Sequence, residues 1–175
     1  MKLTDKKVII GIVVVVIAIA LIGGAFALTV LSKVVFLKSG DNATYDVTGT
    51  NQNGDPINGQ MILTVLNVTG ASCDFRYEYP GLGIATTTQH VNQVPALTTP
   101  SDLGSKTQSD VKLATAYGNK TVNVYVKTID SQVWTSYAGL NPMVQYKIVV
   151  TIGSGTMIFV LSQTNIEKVK TGNGT

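Results

Sequence analysis

The period of the apolar residues changes at about Gly40. Residues 8–31 contain no charged side chain and are dominated by Val, Ile, Ala and Leu. At ~1.5 Å of rise per residue, a helix of this length crosses a hydrocarbon layer about 30 Å thick with some tilt. Beyond Gly40 the apolar positions alternate with polar ones, the period-2 pattern of half-buried strands. Cys73, Phe75, Tyr77 and Tyr79 fall on one side of such a strand and Asp74, Arg76 and Glu78 on the other, and Pro80-Gly81 ends it. Val122, Val124 and Val126 alternate with Asn123, Tyr125 and Lys127; Val144, Tyr146, Ile148, Val150 and Ile152 alternate with Gln145, Lys147 and Thr151.

Turn residues punctuate these runs. Gly118-Asn119, Gly139-Leu140-Asn141-Pro142 and Gly153-Ser154-Gly155 read as hairpin connections, so that residues 111–164 are expected to form a five-strand meander. Residues 43–50 and 60–68 read as two more strands joined across the turn-rich stretch 51–59, and the Cys73 strand brings the total to about eight. The expected class is all-β, an antiparallel curved sheet, half-barrel or sandwich, preceded by one N-terminal transmembrane helix. The expected division is a cytoplasmic N-terminus (1–7), a transmembrane helix (8–32), a tether (33–42), an extracytoplasmic β-domain (43–166) and a flexible C-terminal tail (167–175). Residues 85–109 break the rhythm, being rich in Thr, Gln and Ser with prolines at Pro95 and Pro100. This stretch reads as a long surface loop or a crossing segment with a short helix. Long irregular connections are a common seat of function, and His90, Val94 and Leu97 are its candidate lid or ligand residues, a mobile polar connection being the plainer alternative.

Charge changes the picture only near the apolar segment. Of the formal net +3, the stretch before Gly40 contributes +4 (Lys2, Lys6, Lys7, Lys33 and Lys38 against Asp5), which leaves the rest at −1. The basicity therefore flanks the membrane segment, and no nucleic-acid patch is indicated. Three lysines before the helix and two after it favour a cytoplasmic N-terminus. Asn42, Asn67, Asn119 and Asn173 each begin an Asn-x-Thr glycosylation acceptor, and all four follow the helix, which agrees with an extracytoplasmic domain. A cleaved secretory signal is the rival, because Ala25-Phe26-Ala27 fits an Ala-x-Ala site. The apolar run, however, is longer than a signal needs and continues past that site. A pilin-type leader fits poorly, since Val8 and not a small residue follows Lys6-Lys7.

Ala20, Gly23, Gly24 and Ala27 lie at i, i+3, i+4 and i+7, a stripe of small residues on which a second transmembrane helix could pack; the plainer reading is that such residues are common in membrane helices. Cys73 is the only cysteine, so no intrachain disulfide forms, and burial in the core is its expected place. With one His and one Cys in separate segments, no metal or cofactor is expected. Ser-His-Asp catalysis would have to use His90 as its base, and no Gly-x-Ser-x-Gly elbow is present. Gly153-Ser154-Gly155-Thr156 lacks the ending of a phosphate loop. Asp74, Arg76 and Glu78 read as a solvated ion-pair row. The chain is thus expected not to be an enzyme.

The run from Gly118 to Tyr125, followed by Tyr137-Ala138-Gly139, Tyr146-Lys147-Ile148 and the stretch 159–166, resembles the C-terminal meander of uncharacterised archaeal membrane-anchored surface proteins. Those in turn look similar to half-barrel lipoprotein carriers of the bacterial envelope. The resemblance covers about the last third of the chain and implies a curved antiparallel sheet in an extracytoplasmic setting, with no assigned activity. The expected function is a non-catalytic accessory or structural subunit of a membrane or cell-envelope complex. Its partners would be membrane lipid and other membrane-protein subunits, met through the transmembrane helix and the β-domain, with homo-oligomers a further option. The alternatives are a solitary membrane-tethered binder of a hydrophobic or glycan ligand and a filament or lattice subunit of the envelope.

Overall fold

The computed structural model describes residues 37–70, 72–91, 98 and 103–174. The apolar segment 8–31, with the stripe Ala20, Gly23, Gly24 and Ala27, lies outside them, as do Val94 and Leu97. Among the described residues no helix is long and apolar enough to cross a membrane.

These residues form nine strands in one open antiparallel sheet: β1 (Asn42–Thr50), β2 (Pro56–Thr69), β3 (Ser72–Glu78), β4 (Thr87–Val91), β5 (Ser105–Thr115), β6 (Gly118–Ile129), β7 (Gln132–Leu140), β8 (Met143–Ile152) and β9 (Gly155–Thr164). A short helix, α1 (Glu167–Thr171), follows. The spatial order is β4-β3-β2-β1-β9-β8-β7-β6-β5. Two hairpin meanders, β1–β4 and β5–β9, are therefore joined by the pairing of the first strand with the last.

Alternation puts one set of side chains on a common face, and the register lines those sets up from strand to strand. Val47 lies opposite Phe159, and Phe159 opposite Ile148. Tyr45 lies between Met61 and Leu161, and Trp134 is opposite Val150, which is opposite Met157. All of these are buried and belong to one hydrophobic cluster that also takes in Cys73, Phe75, Tyr77 and Tyr79. Full burial of a side chain of this size stabilises by roughly 1.5–3 kcal/mol, so the shared face is the main source of stability. A smaller cluster joins Leu103, just ahead of β5, to Ala138 and Met143, with Tyr125 and Leu140 against it.

Several boundaries differ from the sequence reading, each for a physical reason. There are nine strands and not about eight, because β4 lies in the stretch 85–109 expected as loop or helix; the first half of β5 also extends into that stretch. Both lie at sheet edges and consist mostly of polar, exposed residues, with Val91 of β4 packed against the core, so their sequences lack the apolar alternation that marks a half-buried strand. The β5–β6 turn is Ala116-Tyr117, and Gly118-Asn119 already belongs to β6; Gly118, with φ of 84°, takes the left-handed position that follows a tight turn. The β6–β7 turn, Asp130-Ser131, has positive φ at both residues (46° and 66°), as the hairpin-favouring type I′ geometry requires. Residues 167–174, expected as a flexible tail, form α1 and a docked strap, with Ile166 and Val169 buried three residues apart on one side of a helical turn.

Gly49 sits in the β1–β9 ladder opposite Met157 with φ of 143°, and a Cβ there would strike the carbonyl oxygen of Thr156. Gly49→Ala should therefore cost about 3 kcal/mol or more in urea unfolding, whereas Gly54→Ala, in a turn with open space around it, should cost about 1 kcal/mol.

Candidate functional site

Because neighbouring strands run antiparallel, the starts of β1, β3, β6 and β8 share one end of the sheet with the ends of β2, β4, β5, β7 and β9. The chain enters the domain at this end and α1 closes over it. We call it the entry pole. The turns 51–55, 130–131 and 153–154 lie at the opposite pole.

The entry is built into the sheet before β1 begins. Leu37 is buried in the main core. Gly40 N–H donates to Val65 O at 2.9 Å, Val65 N–H donates to Asp41 O at 2.8 Å, and Ser39 Oγ donates to Leu66 O at 2.7 Å. Asp41 is itself buried, and its carboxylate accepts from the Lys38 N–H at 2.9 Å, closing the bend. Residues 37–42 of the expected tether are thus fixed along the end of β2. Asn165, just after β9, ties this entry to the exit: its Oδ1 accepts from Asn42 N–H at 2.8 Å and its Nδ2 donates to Gly40 O at 2.8 Å.

The C-terminal strap lies across the pole ends of β6, β7 and β8. Thr121 N–H donates to Asn173 O at 3.0 Å, Leu140 N–H to Gly174 O at 2.7 Å, and Tyr146 OH to Val169 O at 3.3 Å. Lys120, only 3 % exposed, donates its ammonium to the carbonyls of Lys170 (2.9 Å) and Gly172, with the ring of Tyr146 beneath it at 5.9 Å. Burial lowers the Lys120 pKa and pushes the Tyr146 hydroxyl up to about 12. The two carbonyls and the ring face are the ammonium's compensation for leaving water.

No protein-family model matches this chain, and no curated protein matches it.

All four Asn-x-Thr sequences lie at the entry pole. Asn42 opens β1 and Asn119 is the second residue of β6; Asn173 lies in the strap, and Asn67, at the bulged end of β2, has its Nδ2 3.4 Å from Thr69 Oγ1. Asn67 and Asn119 are exposed and Asn42 is half-buried. His90 is placed on β4 directly across from Asp74 of β3, its Nδ1 2.6 Å from Asp74 Oδ1, and both side chains reach solvent. Arg76 and Glu78 approach to 3.6 Å on the same face, so of the expected row Asp74, Arg76 and Glu78 the last two pair with each other while Asp74 pairs with His90. Among the described residues no three His, Cys, Asp or Glu side chains are grouped to hold a metal ion. Cys73 is a free thiol, 2 % exposed, as its place in the strand pattern implied. Burial, and then the charge of Asp74, raise its pKa to about 11.

The two straps, with Leu37, Lys120 and Asn165, are what sequence reasoning missed. The spacing of Ile166 and Val169, with an acidic residue opening the turn and lysines closing it, was the available signal for α1. Nothing local marks Lys120 or Asn165, whose partners lie about 50 and 125 residues away.

Asn165→Ala removes two hydrogen bonds between entry and exit and should lower stability by about 1–2 kcal/mol in urea unfolding. The alkaline pH dependence follows from Cys73 and the buried tyrosines Tyr45, Tyr77, Tyr79 and Tyr146. All are acids held neutral, so the folded chain keeps protons that the unfolded chain has lost. Their contribution to stability should be level below pH 9 and then fall as pH rises, between 9 and about 11 for Cys73 and from 10 upward for the tyrosines, while Lys120, with its pKa lowered from 10.5, acts in the opposite sense below that value. Urea midpoints at pH 8, 10 and 11 would measure this, and Cys73→Ala should remove the first part of the fall.

Proposed function

We propose that this chain is a single-pass membrane protein whose β-domain is a non-catalytic accessory or structural subunit on the extracytoplasmic side. The observation that carries this reading is the fixed entry. Leu37 belongs to the domain core and residues 39–41 are bonded to β2, so the chain between the transmembrane helix read over 8–32 and the domain consists of four residues, 33–36. A protein that must reach out for a diffusing substrate gains from a long, loose linker. One that must hold a domain in register with neighbouring subunits gains from a short one. The stripe Ala20, Gly23, Gly24 and Ala27 supplies the surface for a neighbouring membrane helix.

A curled sheet of half-barrel form is part of the same proposal. Tyr117 OH, at the tip of the β5–β6 hairpin, donates to Ser162 O of β9 at 3.4 Å. In a flat sheet β9 and β6 would stand three strand spacings, roughly 14 Å, apart. A curled sheet also suits the second reading, a binder of a hydrophobic or glycan ligand. The large side chains gathered on the common face, among them Tyr45, Trp134 and Phe159, weigh toward a packed core.

Extraction from native membranes in mild detergent, followed by identification of what co-migrates, tests the choice. A defined complex that disperses when Gly23 and Gly24 are changed to Leu is the expected result. A lone monomer carrying bound lipid would transfer the proposal to ligand binding.

A further inference from the structure

The charges of the domain are sorted between its two poles. At the entry pole Lys38 and Lys168 are exposed and Lys170 is half-exposed; Lys112 lies near the same end of β5, bonded to Thr121 Oγ1. The carboxylates there are Asp41, buried and accepting from the backbone of Lys38, Glu167, 3.5 Å from Lys170, and Asp74, beside His90. Among the described residues the exposed surplus at this end is positive. Asp55, Glu78 and Asp130 stand at or near the other pole, where Lys106, Lys127 and Arg76 balance them.

We propose that the entry pole is a membrane-contact surface for anionic lipid headgroups, with Lys38 from the N-terminal strap and Lys168 and Lys170 from α1 as the contacting cations. The inference rests on the reading of residues 8–32 as a membrane anchor and adds a partner and an orientation to it. From Ser32 to Leu37 the chain can span no more than about 18 Å even when fully extended. The pole that holds Leu37 is thus kept within a tether length of the bilayer, from which its cations can reach the roughly 8 Å over which surface charge is felt at physiological salt. The strap bonds of Lys120 and Asn165 hold α1 beside the entry, so Lys168 and Lys170 approach the membrane together with Lys38. A linker of 20 residues, or lysines at the distal pole, would give no such constraint.

The test uses the full chain in nanodiscs of phosphatidylcholine alone or with added phosphatidylglycerol. A fluorophore is attached to a Thr171→Cys variant, and its quenching by headgroup-labelled lipid is read at low and high salt. The buried Cys73 thiol should not compete for the label. Quenching should be stronger in the anionic discs, fade with salt, and weaken in the Lys38→Gln/Lys168→Gln/Lys170→Gln variant, by about fivefold per lysine in the ratio of docked to undocked domains. Equal quenching in both lipids, or a variant that behaves like the parent, would overturn the lipid contact. Retention of the full chain in membranes washed with alkaline carbonate is measured alongside. Loss in that wash overturns the anchor reading and this inference with it, whereas retention without dependence on lipid charge overturns this inference alone. Unreactive Cys73 in the triple variant verifies that it is folded.

Discussion

The pairing of β1 with β9 is the contact on which the rest of the domain depends. Each meander on its own is a row of local hairpins with one apolar face exposed. The β1–β9 ladder joins residues about 105 to 120 positions apart and turns two such rows into one surface. Its cost is the loop-closure entropy of that long separation, which rises only slowly with length. Its return is the burial of Tyr45, Val47, Met157, Phe159 and Leu161 against one another across the seam. The same pairing brings the start of β1 and the end of β9 to one pole, and that coincidence lets Asn165 bond both Asn42 and Gly40.

From that seam the entry pole follows. Two stretches of chain that lack strand pattern, residues 37–41 before β1 and 166–174 after β9, are both docked by polar contacts to strand ends. These bonds satisfy backbone groups that would otherwise be left open where the ladder stops. Lys120 is the most demanding member, a buried cation answered by main-chain carbonyls and an aromatic face instead of a carboxylate. Such an arrangement is costly to break in part, since loss of the strap would leave the ammonium without acceptors. It makes the C-terminal strap a constituent of the fold.

The functional reading depends on this rigidity more than on any reactive group. His90 and Asp74 form a close pair, but on the exposed outer side of two strands, where the neighbouring Arg76 and Glu78 are also solvated. Cys73 faces inward, with a thiol that stays protonated at neutral pH. What distinguishes the molecule is the way the chain enters its domain and the charge gathered at that point.

The sequence by itself determined the class of the domain, because alternation is a local property: Cys73 to Tyr79 and Val144 to Ile152 each carry their own evidence of one buried and one exposed face. It also marked most turns to within two residues, through glycines whose freedom is visible in the residue type. It could not reveal β4 or the start of β5, since an edge strand built mostly of exposed polar residues has no apolar alternation to read. Nor could it give the strand order, the docking of Leu37, or the partners of Lys120 and Asn165. Those depend on which remote strands find each other, and tertiary structure alone decided them, because the burial shared across the β1–β9 seam is a property of the assembled sheet and of no single segment.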